Sequence, residues 1–452
     1  MPLTRDDRGA AQLGGAPLDA LFEPAGTFEP ASTFEPASAG DPSSTAPTDA
    51  FFPTPAYVYD LDGIEASARA LAAGFGDAPH LVSYAVKANA AGPILRALRD
   101  AGCGATVVSG GELAAALAAG FSPDRIVLNG VAKQAWEIDR ALGAGPRGIL
   151  AIHMESVEEI PRVEARARAL GRRARVAIRV NPNVAADTHA GVATGHDEAK
   201  FGLPLEDLGA AWEALAQAPS LEIVGLSCHI GSQLTGTAEY LRAADLVLGA
   251  AAAREASAGP LEYVDFGGGF GIDYGGGCPT SPADFTRAVA ARVAASPLRG
   301  RTILVEPGRC LVAEHGVLCA GVVSAKRTRA SATPRRWLML DAGMNDLIRP
   351  AMYGSRHRVE PLESAPPGPG EGQGYRVVGP VCESSDDFGE HRFADPLPRR
   401  VVIRDAGAYG FTMASAYNGR ALPTEIFLRG GRVVAARRAR PVDAWVEDRV
   451  GM

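Results

Sequence analysis

The sequence predicts a (β/α)8 barrel followed by an all-β domain, an α/β fold, and three observations carry that prediction. Between residues 81 and 305, eight short β-branched or apolar runs alternate with segments of helical composition. The C-terminal ends of those runs concentrate polar residues and glycines. After residue 316 the alternation stops, and strand-like runs follow one another without helices. Parallel strands that are each followed by a covering helix close into a barrel. The rival is an open doubly wound sheet, and the lack of a GxGxxG turn after the first strand argues against it.

In order, the eight runs are LVSYAV (81–86), ATVV (105–108), IVL (126–128), GILAI (148–152), RVAIRV (175–180), IVGLSC (223–228), EYVDF (262–266) and TILV (302–305). Segments such as GELAAALAAG and EEIPRVEARARAL lie between them and have helical composition. The later runs at 316–325, 336–341, 375–381, 400–405 and 424–436 are separated by RTRASATPRR and ESAPPGPGEGQG, which read as loops. AYVYD (56–60) precedes the barrel and is expected to join the β domain. Residues 1–50 contain FEPAGT, FEPAST and FEPASA and are rich in Pro, Ala, Ser and Gly. They are expected to be a disordered leader. The expected division is therefore a leader (1–50), an N-terminal segment (51–80), a barrel (81–315) and a C-terminal β domain (316–452).

Composition sets the outer limits. The 452 residues are 46% hydrophobic and 21% charged, enough apolar material for a large core. A net charge of -7 argues against nucleic acid or an anionic membrane surface as a partner. No run reaches the ~18 apolar residues of a spanning helix. The first residues lack a basic stretch followed by an apolar one. The six cysteines are scattered, without a CxxC pair or zinc spacing, so a cytoplasmic location without disulfides or a metal is expected.

A barrel of this kind keeps its chemistry at the C-terminal ends of its strands. Those ends deliver Lys87, Ser109 to Glu112, Asn129, His153, Arg179 to Asn181, His229 to Gln233, Gly267 to Gly269, and Glu306 to Arg309. Lys87 follows a nearly apolar strand, where a desolvated amine makes a good imine-forming nucleophile; the plainer alternative is a lysine reaching solvent. Gly267, Gly268 and Gly269 let backbone approach a ligand, and their N–H groups suit a phosphate. Glu306, beside the turn Pro307-Gly308, suits a ring nitrogen; its plainer role is a salt bridge to Arg309. His229 could stack on a planar ring or simply be a core histidine. A nucleophilic lysine, a phosphate nest, a stacking partner and a carboxylate make up the inventory of a pyridoxal-phosphate site.

YAVKAN, HIGSQ, GGGFGIDY, EPGR, GPVCESSDDFG and DAGAYGFTMASAYN together resemble the fold type III (alanine-racemase-like) pyridoxal-phosphate amino-acid decarboxylases. THAGVATGHDEAKFGL, DAGMNDLIRPAMYG and CESSD resemble the branch of that family that acts on diaminopimelate. The resemblance spans about residues 52–445. It implies that Lys87 holds pyridoxal 5'-phosphate covalently, with His229 on the ring. Ser232 and the Gly267 to Gly269 turn would lie at the phosphate, and Glu306 at the ring nitrogen. Pro307, Gly308 and Arg309 complete that motif. Arg309, Arg349, Tyr353, Glu383 and Tyr409 match substrate positions, and Tyr409 also lies near the cofactor. Cys382 matches the proton donor, which in the family comes from the other subunit of a homodimer with shared active sites. The plainer role for Cys382 is a buried thiol, and for Arg349 a salt bridge at a domain interface.

The implied reaction is decarboxylation of meso-2,6-diaminopimelate to L-lysine and CO2, the last step of lysine biosynthesis. Arginines suit the distal carboxylate of that substrate, and a carboxylate such as Glu383 suits its ammonium. Alternatives are decarboxylation of another basic or D-amino acid, racemisation, or an inactive regulatory homologue. Glu306 argues against racemisation, because it keeps a ring nitrogen protonated. Retention of Lys87 and Cys382 argues against an inactive protein.

Overall fold

The computed structural model describes residues 3–22, 51–184, 200–278, 280–329 and 335–451. It divides into two units, one formed by Met1–Gly63 with Ala313–Met452 and the other by Ile64–Val312. Among the described residues no helix is long and apolar enough to cross a membrane.

The chain opens with an antiparallel meander of β1 (Leu3–Arg5), β2 (Ala11–Leu13) and β3 (Ala16–Pro17). This corrects the expectation of a disordered leader for residues 3–22. Strands of two or three residues are too short to display alternation, so the signal lay in the turns. Asp6 accepts the backbone N–H of Arg8 and of Ala10, and Gly14 and Gly15 turn the chain with positive φ. Leu3, Ala11, Leu13, Ala16, Leu18 and Phe22 are buried in one cluster with Val58, Val317, Leu362, Val402, Ile426 and Leu428. Phe22 belongs to the first FEPA copy. The rest of the expected leader, residues 1, 2 and 23–50, lies outside the described residues.

β4 (Ala56–Asp60) is buried along its whole length. Its tyrosines explain how it tolerates that position. Tyr57 and Tyr59 stack at 6.0 Å, and their hydroxyls donate to Asp346 O at 2.7 Å and Glu425 Oε1 at 3.2 Å. A buried hydroxyl needs such a partner.

α1 (Leu61–Ala73) follows β4 directly, so the barrel unit begins at Ile64 rather than 81. The barrel strands are β5 (His80–Ala85), β6 (Gly104–Val107), β7 (Ile126–Leu128), β8 (Ala151–Met154), β9 (Ala174–Asn181), β11 (Leu221–Cys228), β12 (Tyr263–Asp265) and β13 (Thr302–Val305). β10 (Leu203–Pro204) adds a short pairing to β9. All the barrel pairings are parallel, β13 pairs with β5, and β8 pairs with β9. The sheet therefore closes on itself, which disposes of the open-sheet alternative.

Between the strands run α2 (Gly92–Asp100), α3 (Gly110–Ala118), α4 (Ala135–Gly143), α5 (Glu159–Ala169), α6 (Leu208–Ala216), α7 (Ala238–Ala258) and α8 (Pro282–Ala294). In α2, Ile94, Leu95, Ala97 and Leu98 form the buried stripe. Ser109 caps α3 by accepting Glu112 N–H, and Ser281 and Asp284 cap α8 reciprocally. Leu81, Val127, Ala151, Ala177, Val224, Tyr263 and Leu304 form one core cluster drawn from strands around the barrel.

The barrel unit ends in the single turn α9 (Arg309–Val312). The β-rich unit resumes with β14 (Gly316–Arg327), β15 (Arg336–Leu340), the short helix α10 (Arg349–Tyr353), β16 (Val359–Pro361), β17 (Gln373–Val378), β18 (Asp387–Phe393), β19 (Arg400–Ile403), the hairpin β20 (Thr424–Arg429) and β21 (Arg432–Arg437), and a terminal helix α11 (Val442–Arg449). The two helices are departures from the expected all-β composition. β4 lies between β14, its antiparallel neighbour, and β20, its parallel one.

Candidate functional site

Lys87 is presented by a tight turn at the end of β5. Ala85 N–H donates to Pro307 O at 2.9 Å, which ties the end of the first barrel strand to the segment following the last. A single turn over Val86–Ala88 then buries Val86 and Ala88 and leaves Lys87 exposed. Of the two alternatives for this amine the structure shows the exposed one; the side chain emerges from an apolar base into the open. Its charge is felt by two neighbours. It opposes the burial that raises the Glu112 carboxyl, and it adds to the burial that holds His229 well below its ordinary value.

His229 follows β11 and is half-buried. Its Nδ1 accepts Gly268 N–H at 3.1 Å, so the neutral ring carries its proton on Nε2. The glycine turn has no room for side chains. A Cβ on Gly268 would lie 2.0 Å from Glu306 O, and one on Gly269 would lie 2.0 Å from Gly231 O. Gly267 also has φ +66, a region that favours glycine. Backbone from Gly231, Gly267 to Gly269 and Glu306 is therefore drawn together at one rim. This cradle, with the adjacent amine and the neutral imidazole, fits the phosphate, aldehyde and flat ring of pyridoxal phosphate.

Glu306 is buried immediately after β13. Its Oε1 accepts Asn129 Nδ2–H at 2.7 Å, and the Thr106 hydroxyl lies 3.2 Å away. Thr106 in turn meets Ser83 Oγ at 2.9 Å. Pro307 and Gly308 are buried, and Gly308 O accepts Leu311 N–H as α9 starts. Arg309, also buried, donates through Nη2 to Ser232 Oγ and through Nη1 to the Tyr274 hydroxyl, both at 2.8 Å.

Beneath Glu306 lies a string of buried polar groups. His153 Nε2 is 2.8 Å from the Tyr263 hydroxyl, and its Nδ1 is 3.8 Å from Asp265 Oδ2. Asp265 Oδ1 accepts Gly267 N–H at 2.8 Å. Burial first, with the charges of Lys133 and Arg179, pushes His153 down to about 3. Burial first, then the neighbouring Glu306 carboxylate, pushes Asp265 well above the usual carboxylate range.

The β-rich unit holds the remaining expected residues. Arg349 opens α10 and is buried, donating to Ser355 Oγ at 3.1 Å. Its guanidinium lies 5.6 Å from the Tyr353 ring and 5.7 Å from the Tyr409 ring. Tyr409 has φ +57, unfavourable for a bulky residue. Cys382 and Glu383 are exposed between β17 and β18, so Cys382 is not a buried structural thiol. Asn418 Oδ1 accepts Cys382 N–H at 2.9 Å, and the Tyr417 hydroxyl donates to Glu383 Oε1 at 2.6 Å. Asp386 anchors their loop by accepting Val381 and Met344 N–H.

The structure thus groups His229, Ser232, the glycine turn and the Glu306 to Arg309 segment at the barrel rim. In the other unit it groups Arg349 with Tyr353 and Tyr409, and sets Cys382 beside Glu383. Sequence reasoning missed Thr106, Asp265 and Tyr274. Tyr263 and Asp265 are two apart on one strand and so share its inward face. An acid in that position, with one residue between it and three glycines, was a usable signal.

Comparisons with known proteins give the family and the fold. Residues 61–313 match the family described as pyridoxal-dependent decarboxylase, pyridoxal binding domain. The class defined by fold and site is therefore a barrel-type pyridoxal-dependent decarboxylase. The diaminopimelate decarboxylase of Zymomonas mobilis is 38% identical over 404 residues, covering 87% of this chain and 92% of that protein. The crystal structure of diaminopimelate decarboxylase from Helicobacter pylori complexed with L-lysine superimposes with a TM-score of 0.79 at 35% identity, covering 87% of this chain and 96% of that one. The structure of the M. jannaschii diaminopimelate decarboxylase gives 0.82 at 30% identity, covering 99% and 98%. The chain belongs to the diaminopimelate decarboxylase family.

Proposed function

We propose that this protein decarboxylates meso-2,6-diaminopimelate to L-lysine and CO2, with pyridoxal 5'-phosphate carried on Lys87. The observation that carries the reading is the arrangement at the barrel rim: an exposed lysine on an apolar turn, beside a neutral histidine, a glycine cradle and a buried carboxylate. The relatives named diaminopimelate decarboxylase, and the lysine in the Helicobacter pylori structure, support the choice of substrate.

When bound, pyridoxal phosphate supplies an electron sink for the pair released as the bond from Cα to the carboxylate breaks. The chain's own residues do the rest. Lys87 would hold the cofactor through its amine. His229, neutral, would pack against the ring. Ser232 and the glycine turn bind the phosphate. Glu306, fixed by Asn129 and Thr106, accepts a hydrogen bond from the ring nitrogen and so favours its protonated form. Arg309 and Arg349 bind substrate carboxylate, with Tyr353 and Tyr409 walling the Arg349 guanidinium. Glu383 takes the distal ammonium.

Cys382 gives its proton to Cα after CO2 leaves. Because Cys382 and Glu383 are exposed, we assign them to the site of the other subunit in a homodimer. The six free thiols accord with a reducing, cytoplasmic setting.

The test is CO2 release by purified protein with pyridoxal phosphate and, separately, meso-diaminopimelate, L-lysine, D-lysine, L-ornithine and L-arginine. Release from diaminopimelate alone is expected, and Lys87→Ala should abolish it. Release from one of the other amino acids instead would overturn the substrate and the roles of Arg309 and Arg349.

A further inference from the structure

We propose that Asp265 is the positioning residue for Glu306: a neutral carboxylic acid that donates a hydrogen bond to Glu306 and leaves the single negative charge of the pair on Glu306. The inference rests on the role given to Glu306 above and adds a second residue to it.

Polar atoms of His153, Asp265 and Glu306 all lie within 4.8 Å of one another, inside the barrel. His153 and Asp265 have no exposed surface, and Glu306 has 8%. Two carboxylates that close, out of water, do not both ionise; they share a proton.

A second negative charge on this pair would need compensation from neighbouring groups. Asp265 Oδ1 is satisfied by Gly267 N–H, but among the described residues the fully buried Oδ2 meets no donor, and 3.8 Å to His153 is too long for a hydrogen bond. His153 is held neutral by burial and lies against the Tyr263 hydroxyl. The nearby cations are engaged elsewhere, Arg179 with Glu155 at 3.1 Å and Lys133 with Glu159 at 3.0 Å. A proton on Oδ2 turns the unpartnered oxygen into a donor, and the acceptor beside it is Glu306. The upward push on Asp265 by burial and by Glu306 has the same sense.

Glu306 is the carboxyl that keeps the charge. Glu306 already accepts from Asn129 and has the Thr106 hydroxyl beside it, which stabilises its anion. With Asp265 as a further donor, Glu306 is braced from the interior and keeps its anionic character for a cationic N–H outside. Tyr263, His153 and Asp265 then form a neutral polar floor under one charged residue.

Asn is the conservative test, because its amide mimics the neutral acid: its oxygen can accept Gly267 N–H and its NH2 can donate to Glu306. In holoenzyme at neutral pH, the infrared difference spectrum of wild type minus Asp265→Asn should contain the deuteration-sensitive C=O stretch of a buried carboxylic acid. Cofactor affinity should stay within about twofold in Asp265→Asn and fall about tenfold in Asp265→Ala, the loss of one charge-assisted hydrogen bond. Absence of the infrared band overturns the proposal. So does Asp265→Asn binding the cofactor as poorly as Asp265→Ala, or Asp265→Ala binding it as well as wild type. If Asp265→Ala does not fold, the band and the Asn variant still decide. Glu306→Gln separates the two readings: unchanged cofactor affinity and turnover there removes the role of Glu306, while the band of Asp265 is judged by itself.

Discussion

Arg309 donates to Ser232 Oγ at 2.8 Å, and this contact joins EPGR to HIGSQ across the barrel rim. The second arm of the guanidinium reaches the Tyr274 hydroxyl, so one planar fork sets two hydroxyls from different loops. Ser232→Ala should weaken cofactor binding by about five- to tenfold, the worth of one hydrogen bond near a charged group. Arg309→Lys should do more harm, because an ammonium does not reproduce the fixed fork. Titration of apoenzyme with pyridoxal phosphate, followed by absorbance, measures both. Equal affinity in both variants and wild type would remove this pair from the cofactor site.

Cys382 is exposed while its backbone is fixed by Asn418. A thiol placed to deliver a proton, and not to bind cofactor, should separate the two functions. Cys382→Ala is expected to lower kcat by about a hundredfold and leave cofactor affinity within about twofold. Lysine formation and the apoenzyme titration together check this. Loss of cofactor binding would show that the thiol has been given the wrong task.

The barrel was legible because its strands are short apolar runs ending in polar residues or glycine, as β11 ends at His229 and β13 at Glu306. The meander at the N-terminus was not, since Leu3, Leu13 and Leu18 stand in strands and turns too short to show a period, within a stretch dominated by the FEPA copies. α1 was left in a separate N-terminal segment with AYVYD, although the spacing of Ile64, Ala68 and Leu71 is helical and the barrel unit begins at Ile64. In the proposed site, residue types pointed to Lys87 and Glu306. They did not identify Asp265, because burying an acid is unfavourable and becomes intelligible only when Gly267 N–H and Glu306 are seen around it. For Lys87 the sequence left burial and exposure open, and the apolar neighbours form its base and not its cover.

The N-terminal meander should matter for stability. Leu13 is fully buried among Val58, Leu362, Ile426 and Leu428. Leu13→Ala should destabilise the β-rich unit by about 2–5 kcal/mol through lost burial and the cavity left behind. Urea denaturation followed by the fluorescence of Trp337, in β15, can measure it. A midpoint equal to wild type would return residues 3–22 to the status of a dispensable leader.

Asp346 should make stability fall as pH rises. It lies before α10 with 1% of its surface exposed, accepting Gly343 N–H at 2.9 Å and the Asn345 amide at 3.0 Å. Burial, with the nearby Asp341 and Asp386 carboxyls, outweighs the Gly343 N–H and Arg420 and raises it from 3.8 to about 7. Between those values the folded protein keeps a proton that the unfolded chain has released, so each step up in pH favours unfolding. Below 3.8 both states are protonated and the group exerts no pull; above about 7 both are ionised and the full penalty is present. Asp346→Asn is neutral throughout and escapes the penalty, although its amide is a poorer acceptor for its two donors. Relative to wild type, the variant should therefore gain stability between about pH 4 and pH 7, with the difference constant outside that window. Urea midpoints of both proteins across the range measure it. A difference that does not change with pH would mean that Asp346 is already ionised in the folded state.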